Sequence, residues 1–473
     1  MSRIVDAFEK VCAQQPERAA MIHLVKGKPV STSFSQLATD AAQARAFLSE
    51  NGVKRGDRLL AFANSGYKLC VFLIACFELG ACVMYVDIHA GQENLKRIFE
   101  KTNPKFVLVS DKTRHFRVLF REIHKIKSVI NIDRAQSGGA SALPLFEASE
   151  GDDALITVTT GSTGKPKLFV RTHRDLFEQL RLVTDNIGEK SGEQIALTTS
   201  YIYIFANLLL GFTTVLPNVD LGSKKTNKII RRLKSFDLSE ITMIITTPDF
   251  CLRTPNMYPK LSTLYCGGAI LNRSEVRRIQ SAYPCKVIHI YGSTECNLIS
   301  SVDLRDYLKT LEQTGECLLG DICRGVEAKT DENGHILVNS AALLTKTADG
   351  KAQHGEFYDT NDVGYIKGGK LYYRGKSGFC LHIGGKTVYS NEIEQRFILS
   401  FPEIGKCAAV EHERRFYLFL EDKTLPRTEI SAYLQKEYGV PFFIKTIRAI
   451  PRDVKHHTKI NYLDLMQRLE QPH

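Results

Sequence analysis

Residues 159–167 read TTGSTGKPK, two glycines set among hydroxyls and followed by lysines. The preceding LITVTT (155–160) has the make-up of a strand, so the glycines follow its carboxyl end. Backbone N–H groups exposed by Gly161 and Gly164 can line an anion-binding concavity. Thr160, Ser162 and Thr163 add hydroxyl donors, and Lys165 and Lys167 add positive charge. A polar hairpin turn accounts for the same residues. The spelling differs from the P-loop G-x-x-x-x-G-K-[ST]. RGKS (374–377) and GGKT (384–387) do not complete that motif either, because Lys370 and Cys380 stand where its first glycine is needed.

Four more segments concentrate chemistry. IYGSTE (290–295) puts an aromatic, a glycine, two hydroxyls and a carboxylate directly after the strand VIHI. Ligands gather at the carboxyl ends of strands in open α/β sheets. There Tyr291 can stack on a base, Thr294 can bond a phosphate oxygen, and Glu295 can hold Mg²⁺. YCGGAI (265–270) ends a strand in a double glycine, which suits close approach of a flat ligand to backbone. In YDTNDVGYI (358–366), Asp362 lies where a carboxylate can grip two ribose hydroxyls. IPRDVKHHTKI (450–460) is basic and ends at Lys459 and Ile460. Each could equally be a turn or a solvated stretch.

Those segments need a scaffold. Helical spacing over 36–51, 65–79 and 91–102 alternates with the apolar runs RLLAFA (58–63), CVMYVD (82–87) and KFVLVSD (105–111). This rhythm predicts a parallel sheet covered by helices, and it returns at 240–300. After about residue 310 short strands and turns such as DENG (331–334) and KGGK (367–370) predict a β-rich subdomain. From about 378 a small α+β segment begins. The expected fold is therefore α/β, with a large N-terminal domain over 1–377 and a small α+β C-terminal domain over 378–473.

A chain of 473 residues exceeds one ordinary core. With 43% hydrophobic and 24% charged residues it is not a disordered chain. The net charge of +11 is spread over scattered Lys and Arg, without a basic run or arginine-rich arm. Anionic small ligands explain it better than nucleic acid. The 12 cysteines show no C-x-x-C pair, and Cys70, Cys76 and Cys82 lie in apolar runs. They read as reduced core residues, which predicts a cytoplasmic setting. No signal-peptide pattern opens the sequence. The apolar stretch 69–86 is interrupted by Glu78 and Gly80, which predicts a buried helix and strand rather than a transmembrane segment.

Taken in order, these segments resemble the adenylate-forming superfamily of acyl-CoA synthetases, luciferases and adenylation domains. FELGACVMYVD is similar to its "LKAGAxYVPxD", TTGSTGKPK to "SSGTTGxPKG", and IYGSTE to "YGxTE". TNDVGYI resembles "TGDxxxx", KLYYRGKSGFCLHIGGKTVYSNEIE resembles "GRxDxxIKxxGxRVxxxEIE", and HTKI resembles the terminal "GKI". The resemblance spans nearly the whole chain. It implies two steps: a carboxylate attacks the α-phosphorus of ATP, releasing pyrophosphate, and a thiol of CoA or of carrier-protein pantetheine then displaces AMP. By resemblance Thr160, Gly161, Ser162, Thr163, Gly164 and Lys167 hold the β,γ-phosphates. Gly268, Ala269, Tyr291, Gly292 and Ser293 frame the nucleotide. Thr294 and Glu295 manage phosphate and Mg²⁺, Asp362 binds ribose, and Lys459 neutralises charge at the reacting centre.

The sequence also departs from the pattern. Lys376, a point charge, replaces the planar arginine of "GRxD", with Arg374 close by as an alternative substitute. Gly378 stands at the hinge position, Leu381-His382 replaces "IK", and Thr458 replaces the glycine before the terminal lysine. The acid pocket is expected along TTSYIYIFANLLLG (198–211), with Tyr201, Tyr203 and Phe205 lining it or forming helix core. Thr198 stands where amino-acid activators carry an aspartate for the α-ammonium. This favours a small-molecule carboxylic acid, fatty or aryl, without a free α-amino group. Three functions follow: an acyl-CoA synthetase, a stand-alone enzyme loading an acidic carrier protein, and a degenerate nucleotide-binding relative without catalysis.

Overall fold

Alternating apolar strands and amphipathic helices build the first half of the chain. The computed structural model describes residues 2–63, 66–86, 92–135, 148–160, 166–187, 193–198, 200–217, 226–344, 346–347, 356–421, 426–452 and 459–470. They divide into two compact units. One comprises Met1–Met243, Thr294–Asn297 and Ala341–Glu356, the other Ile244–Ser293, Leu298–Ser340 and Phe357–His473.

In the first unit the apolar run 69–86 folds as the helix Tyr67–Glu78 and the strand Cys82–Tyr85. Gly80 turns the chain between them at φ +65°, a conformation that L side chains rarely adopt. Strands Arg58–Phe62, Cys82–Tyr85, Phe106–Val109, Ser128–Asn131 and Asp153–Thr160 lie parallel to their neighbours in one sheet. Successive residues such as Leu59 and Leu60, or Val107 and Leu108, are all buried, so both faces are covered. Helices Gln92–Thr102 and Arg121–Lys125 pack on one face through Ile98, Phe99 and Ile123. The strand Pro166–Thr172 then returns antiparallel to Asp153–Thr160. Thr172 caps the next helix, His173–Asn186, in a capping box with Asp175. A second set of strands runs Ile195–Thr198, Thr213–Leu216, Ala19–Val25 and Lys28–Ser33. The last two form a hairpin that the helix–strand rhythm did not indicate.

In the second unit Thr263–Gly267 and Lys286–Ser293 are parallel. Beyond residue 297 the pairing turns antiparallel, through Asn297–Asp303, Cys317–Ile322, Lys370–Lys376, Tyr358–Lys367, His335–Ser340 and Val326–Thr330. The expected parallel sheet is thus part of a mixed one, and the β-rich region after 310 is its antiparallel arm. The final segment is α+β, as expected. It holds the hairpin Cys380–Ile383/Lys386–Tyr389, the sheet Cys407–His412/Arg415–Leu420/Phe442–Thr446, and helices Ser390–Ser400, Arg427–Tyr438 and Tyr462–Glu470. The boundary expected at 377/378 falls just after the strand Lys370–Lys376, inside this second unit. All 12 cysteines are free, ten of them buried. Among the described residues no helix is long and apolar enough to cross a membrane.

Candidate active site

Two strand ends of the second unit converge on Asp362. Tyr291, at the end of Lys286–Ser293, donates its hydroxyl to Asp362 Oδ2 at 2.7 Å. Lys376, at the end of Lys370–Lys376, donates Nζ to Oδ1 at 2.6 Å. The pairing Asp362↔Lys376 across the two strands sets that ion pair. Asn361 supplies the bend, at φ 56°, which asparagine tolerates better than most residues. Thr360 accepts the Asp362 backbone N–H at 3.2 Å and donates to Ile336 O. Burial and the neighbouring carboxylate push the Tyr291 phenol well above its ordinary range, so it stays a donor. Lys376 thus reaches Asp362 as a single-point donor, while the neighbouring Arg374 pairs with Glu392 at 2.8 Å instead.

Beside it lies the double glycine. A Cβ on Gly267 would sit 2.4 Å from Ile290 Cγ1 and 2.5 Å from Ile290 O, so only glycine lets these strands close up. Gly268 has φ +96°, and its Cβ position is open apart from Thr247 Cγ2 at 4.0 Å. His289, buried, contacts the Ala269 carbonyl through Nε2 at 3.0 Å. That carbonyl only accepts, so Nε2 carries the hydrogen and Nδ1 is an acceptor. Nδ1 is buried without a hydrogen-bond partner among the described residues. Burial lowers the imidazole's affinity for a second proton, which keeps it neutral. His289 thus fixes the Gly268–Ala269 turn, and the spacing of motifs gave no sign of it.

In the first unit Thr294 and Glu295 are braced through their backbones. Buried Arg171 donates to Thr294 O at 3.1 Å, Thr157 Oγ1 at 2.7 Å and Gln179 Oε1 at 2.8 Å. Gln179 in turn donates to Glu295 O at 3.3 Å and Ala342 O at 3.2 Å. Leu344 N adds a second contact to Glu295 O at 3.0 Å. Burial pulls the Arg171 guanidinium down to about 10, and the charges of Asp175 and Glu295 oppose that fall. The backbone of Glu295 is held, and its side chain, a hard oxygen donor, is partly exposed. Among the described residues no cluster of three metal-binding side chains exists. Mg²⁺ needs none, since it commonly takes one or two carboxylates plus phosphate and water. The donor set fits.

The remaining expected residues are placed as follows. Gly161, Ser162, Thr163 and Gly164 lie outside the described residues, as does Thr458. Thr160 ends its strand opposite Pro166, and Lys167 is exposed opposite Thr159. The two strands that flank the phosphate-loop candidate are thus antiparallel. Gly292 is exposed and Ser293 partly so. Lys459 is exposed, next to Ile460, which forms an antiparallel bridge with Arg452. Thr198 is buried, and its Oγ1 accepts Ser200 N at 3.2 Å. Tyr201 and Tyr203 are half-buried in the helix Tyr201–Leu209, with the Tyr201 ring 5.2 Å from that of Tyr85. Phe205 is buried edge-on to Phe77 at 5.5 Å and lines an apolar pocket with Ile4, Phe8 and Leu180.

Residues 8–345 match the AMP-binding enzyme family. The olefin β-lactone synthetase of Stenotrophomonas maltophilia is 22% identical over 445 residues, which cover 82% of this chain and 80% of that protein. The D-alanine–D-alanyl carrier protein ligase of Bacillus cereus is 21% identical over 429 residues, 83% and 82% of the two chains. Among solved structures, o-succinylbenzoate CoA synthetase from Bacillus subtilis, in complex with its acyl-adenylate intermediate, has a TM-score of 0.77 at 19% identity. It covers 99% of this chain and 98% of its own. ATP-bound MatB from Rhodopseudomonas palustris has a TM-score of 0.81 at 16% identity, covering 99% of each chain. These likenesses establish the fold from end to end, and the family match takes in well over half of the sequence. The chain belongs to the AMP-binding enzyme family, within the adenylate-forming superfamily.

Proposed function

We propose that this enzyme is an AMP-forming acid–thiol ligase acting on a fatty or aryl acid, with CoA as acceptor. In the first step a carboxylate oxygen attacks the α-phosphorus of ATP, and the bond to the pyrophosphate oxygen breaks. In the second a thiol sulfur attacks the acyl carbon, AMP leaves, and the thiol proton passes to solvent. The observation that carries this reading is the Asp362 cluster, a buried carboxylate presented by Tyr291 and Lys376 beside the Gly267–Gly268 backbone. Such a group suits paired ribose hydroxyls, and the adjoining glycines suit a flat base.

The other roles follow as proposals. Thr160, Ser162, Thr163 and Lys167 steady the leaving pyrophosphate. Gly268, Ala269 and Tyr291 frame adenine, and Thr294 holds a phosphate oxygen. Mg²⁺ bound at Glu295 would offset charge between the phosphates. Lys459 supplies positive charge at the reacting carboxylate and α-phosphate. Phosphoryl chemistry of this kind needs placed charge more than proton transfer. The acid lacks a free α-amino group, because buried Thr198 already spends its hydroxyl on Ser200 and the stretch 195–209 contains no carboxylate. Burying an ammonium without an anion is costly.

The second reading, loading of a carrier protein, is favoured by the similarity to a D-alanyl carrier protein ligase and by the net charge of +11, which suits an acidic partner. Pyrophosphate release is the deciding assay, run over fatty, aryl and amino acids with CoA or carrier protein as acceptor. Turnover of a plain acid with CoA is expected. Turnover only with carrier protein establishes the second reading, strong exchange with an amino acid removes the substrate assignment, and no release with any acid sinks the ligase.

A further inference from the structure

Between the strands Phe106–Val109 and Ser128–Asn131 the first unit projects a turn with an unusual surface. Phe116, Val118 and Leu119 are 58%, 59% and 66% exposed among the described residues. The short helix Phe116–Leu119 buries no residue at all. Elsewhere, exposed large hydrophobics are dispersed along the chain, at Val25, Val30, Val129, Phe443 and Leu463. Scattered single ones are ordinary, whereas three in four residues are a patch.

The turn is held in shape. Ile123 and Ile126 are buried beneath it, and the Phe120 ring packs edge-on to Phe62 at 5.8 Å. Arg117 donates to Ile126 O at 2.9 Å, and Thr113 O receives Phe116 N at 3.0 Å. The apolar side chains are thus presented on an anchored support. Residues 111–127 carry Lys112, Arg114, Arg117, Arg121, Lys125 and Lys127 against Asp111 and Glu122, and Asp133 also lies at this turn, accepting Asp111 N at 2.9 Å. Asp111 accepts from Asn131, and Glu122 is paired with Lys125 at 2.8 Å. Lys112, Arg121 and Lys127 are exposed.

We propose that this turn docks the enzyme on an anionic lipid surface, with Phe116, Val118 and Leu119 entering the acyl boundary and the basic ring facing the headgroups. The chemistry matches both parts of the patch. A bilayer offers an apolar phase directly beneath a negative surface, and it needs only a few inserted side chains when basic residues surround them. A stable protein interface needs far more area than three side chains supply. Nucleic acid satisfies the charge but leaves Val118 and Leu119 without a use, since aliphatic side chains do not stack on bases. This inference does not depend on which acid or acceptor the enzyme uses.

The test is vesicle flotation of the full chain with phosphatidylcholine alone and with phosphatidylcholine mixed with phosphatidylserine. Binding to the mixed vesicles, weakened by salt, is expected. The double variant Phe116→Ser/Leu119→Ser and the charge reversal Lys112→Glu/Arg121→Glu should each lower partitioning roughly tenfold or more. Both should keep the wild-type melting temperature, because every substituted side chain is exposed. The proposal is overturned by absent binding, by equal binding to neutral vesicles, or by variants that bind like the parent. Gel filtration showing a dimer that the serine variant dissolves would assign the patch to self-association instead and also overturn it.

Discussion

Lys459 is the residue on which the proposed first step depends most. It is exposed, and it follows the basic stretch that resembles the terminal "GKI". A charge that acts only as the α-phosphate acquires its transition-state charge contributes to kcat rather than to substrate affinity. Lys459→Ala should slow adenylate formation by roughly a hundredfold or more, measured by ATP–pyrophosphate exchange. Thioester formation from supplied acyl-adenylate should change far less. Wild-type exchange in that variant would remove Lys459 from the first step. How legible such residues are depends on how local their partners are. Asp362, Tyr291 and the double glycine were readable because each lies in a short segment whose composition already suggests a ligand. Arg171 and Gln179 were not, because they act on Thr294 and Glu295 more than 110 residues further along. Nothing in FVRTHRDLFEQ says that its arginine turns inward. Burial reveals it, through the three acceptors that an enclosed guanidinium requires. His289 was missed for a related reason, since a histidine inside an apolar strand looks like core until its Nε2 is seen on Ala269 O.

At the scale of elements, the helix–strand rhythm of residues 36–111 was readable because both faces of a parallel sheet are apolar and its helices are amphipathic. The hairpin over residues 19–33 escaped because Lys28–Ser33 is largely exposed and carries little apolar pattern, whereas the helix Arg3–Gln14 buries Ile4, Phe8 and Cys12 at a helical spacing that was legible and was passed over. The return strand Pro166–Thr172 escaped because its direction is set by the length of a turn, not by its own residues. The packing of the last helix, Tyr462–Glu470, has a measurable consequence. Tyr462 donates to both oxygens of Glu394 at 3.0 Å, and Ala409 N donates to Oε1 at 3.0 Å. The titratable groups facing Glu394 include Tyr462, Tyr373, Cys407 and Cys317, none of them cationic. Burial pushes the carboxyl from about 4.5 up to about 8, while Ala409 and Tyr462 pull it down. Below the lower value both folded and unfolded chains hold the proton, and the group's contribution is fully present. Between the two the unfolded chain has lost the proton and the folded chain keeps it, so stability falls as pH rises, by up to about 1.4 kcal/mol per unit. Above about 8 the loss is complete. Glu394→Gln keeps an acceptor for Tyr462 and cannot ionise. The difference in unfolding free energy between variant and parent should therefore grow in the variant's favour from about pH 5 to about pH 8. Other groups, Glu78 included, cancel in that difference. Parallel pH profiles would show that Glu394 is ionised in the folded chain.

Across the whole molecule, the proposal that residues 378–473 form a separate, moving domain rests on where their cores lie. One cluster joins Leu381, Ile393, Phe397, Leu418, Leu434 and Phe442, and another joins Val410, Phe419, Ile450 and Leu465. Every member of both lies beyond residue 378. The ties back to the rest of the second unit include polar contacts: Asn272 to Gly405 O at 3.0 Å, Lys406 and Arg452 to Glu275 at 3.8 and 3.7 Å, and Arg374 to Glu392 at 2.8 Å. Partly exposed ion pairs of this kind contribute little and can be exchanged for water or for other partners. Two half-reactions at one nucleotide make such an exchange useful. In the proposed mechanism Lys459 meets the α-phosphate in the first step, and a thiol reaches the acyl carbon in the second. A rigid-body rotation at a single residue achieves both. Gly378 is the candidate, between the strand Lys370–Lys376 and the hairpin that starts at Cys380. A Cβ there would meet nothing within 4 Å, so Gly378→Ala is sterically free and controls for mere substitution. Gly378→Pro fixes φ near −65° and removes the N–H. The alanine variant should run both half-reactions near the wild-type rate. The proline variant should slow one of them roughly tenfold or more and spare the other, since a chain locked in either pose remains competent for the step that pose serves. Exchange measures the first half-reaction and supplied acyl-adenylate the second. Equal, undiminished rates in Gly378→Pro would place the rotation at another residue or show that none is needed, whereas equal losses in both would point to misfolding, which the melting temperature of the variant distinguishes.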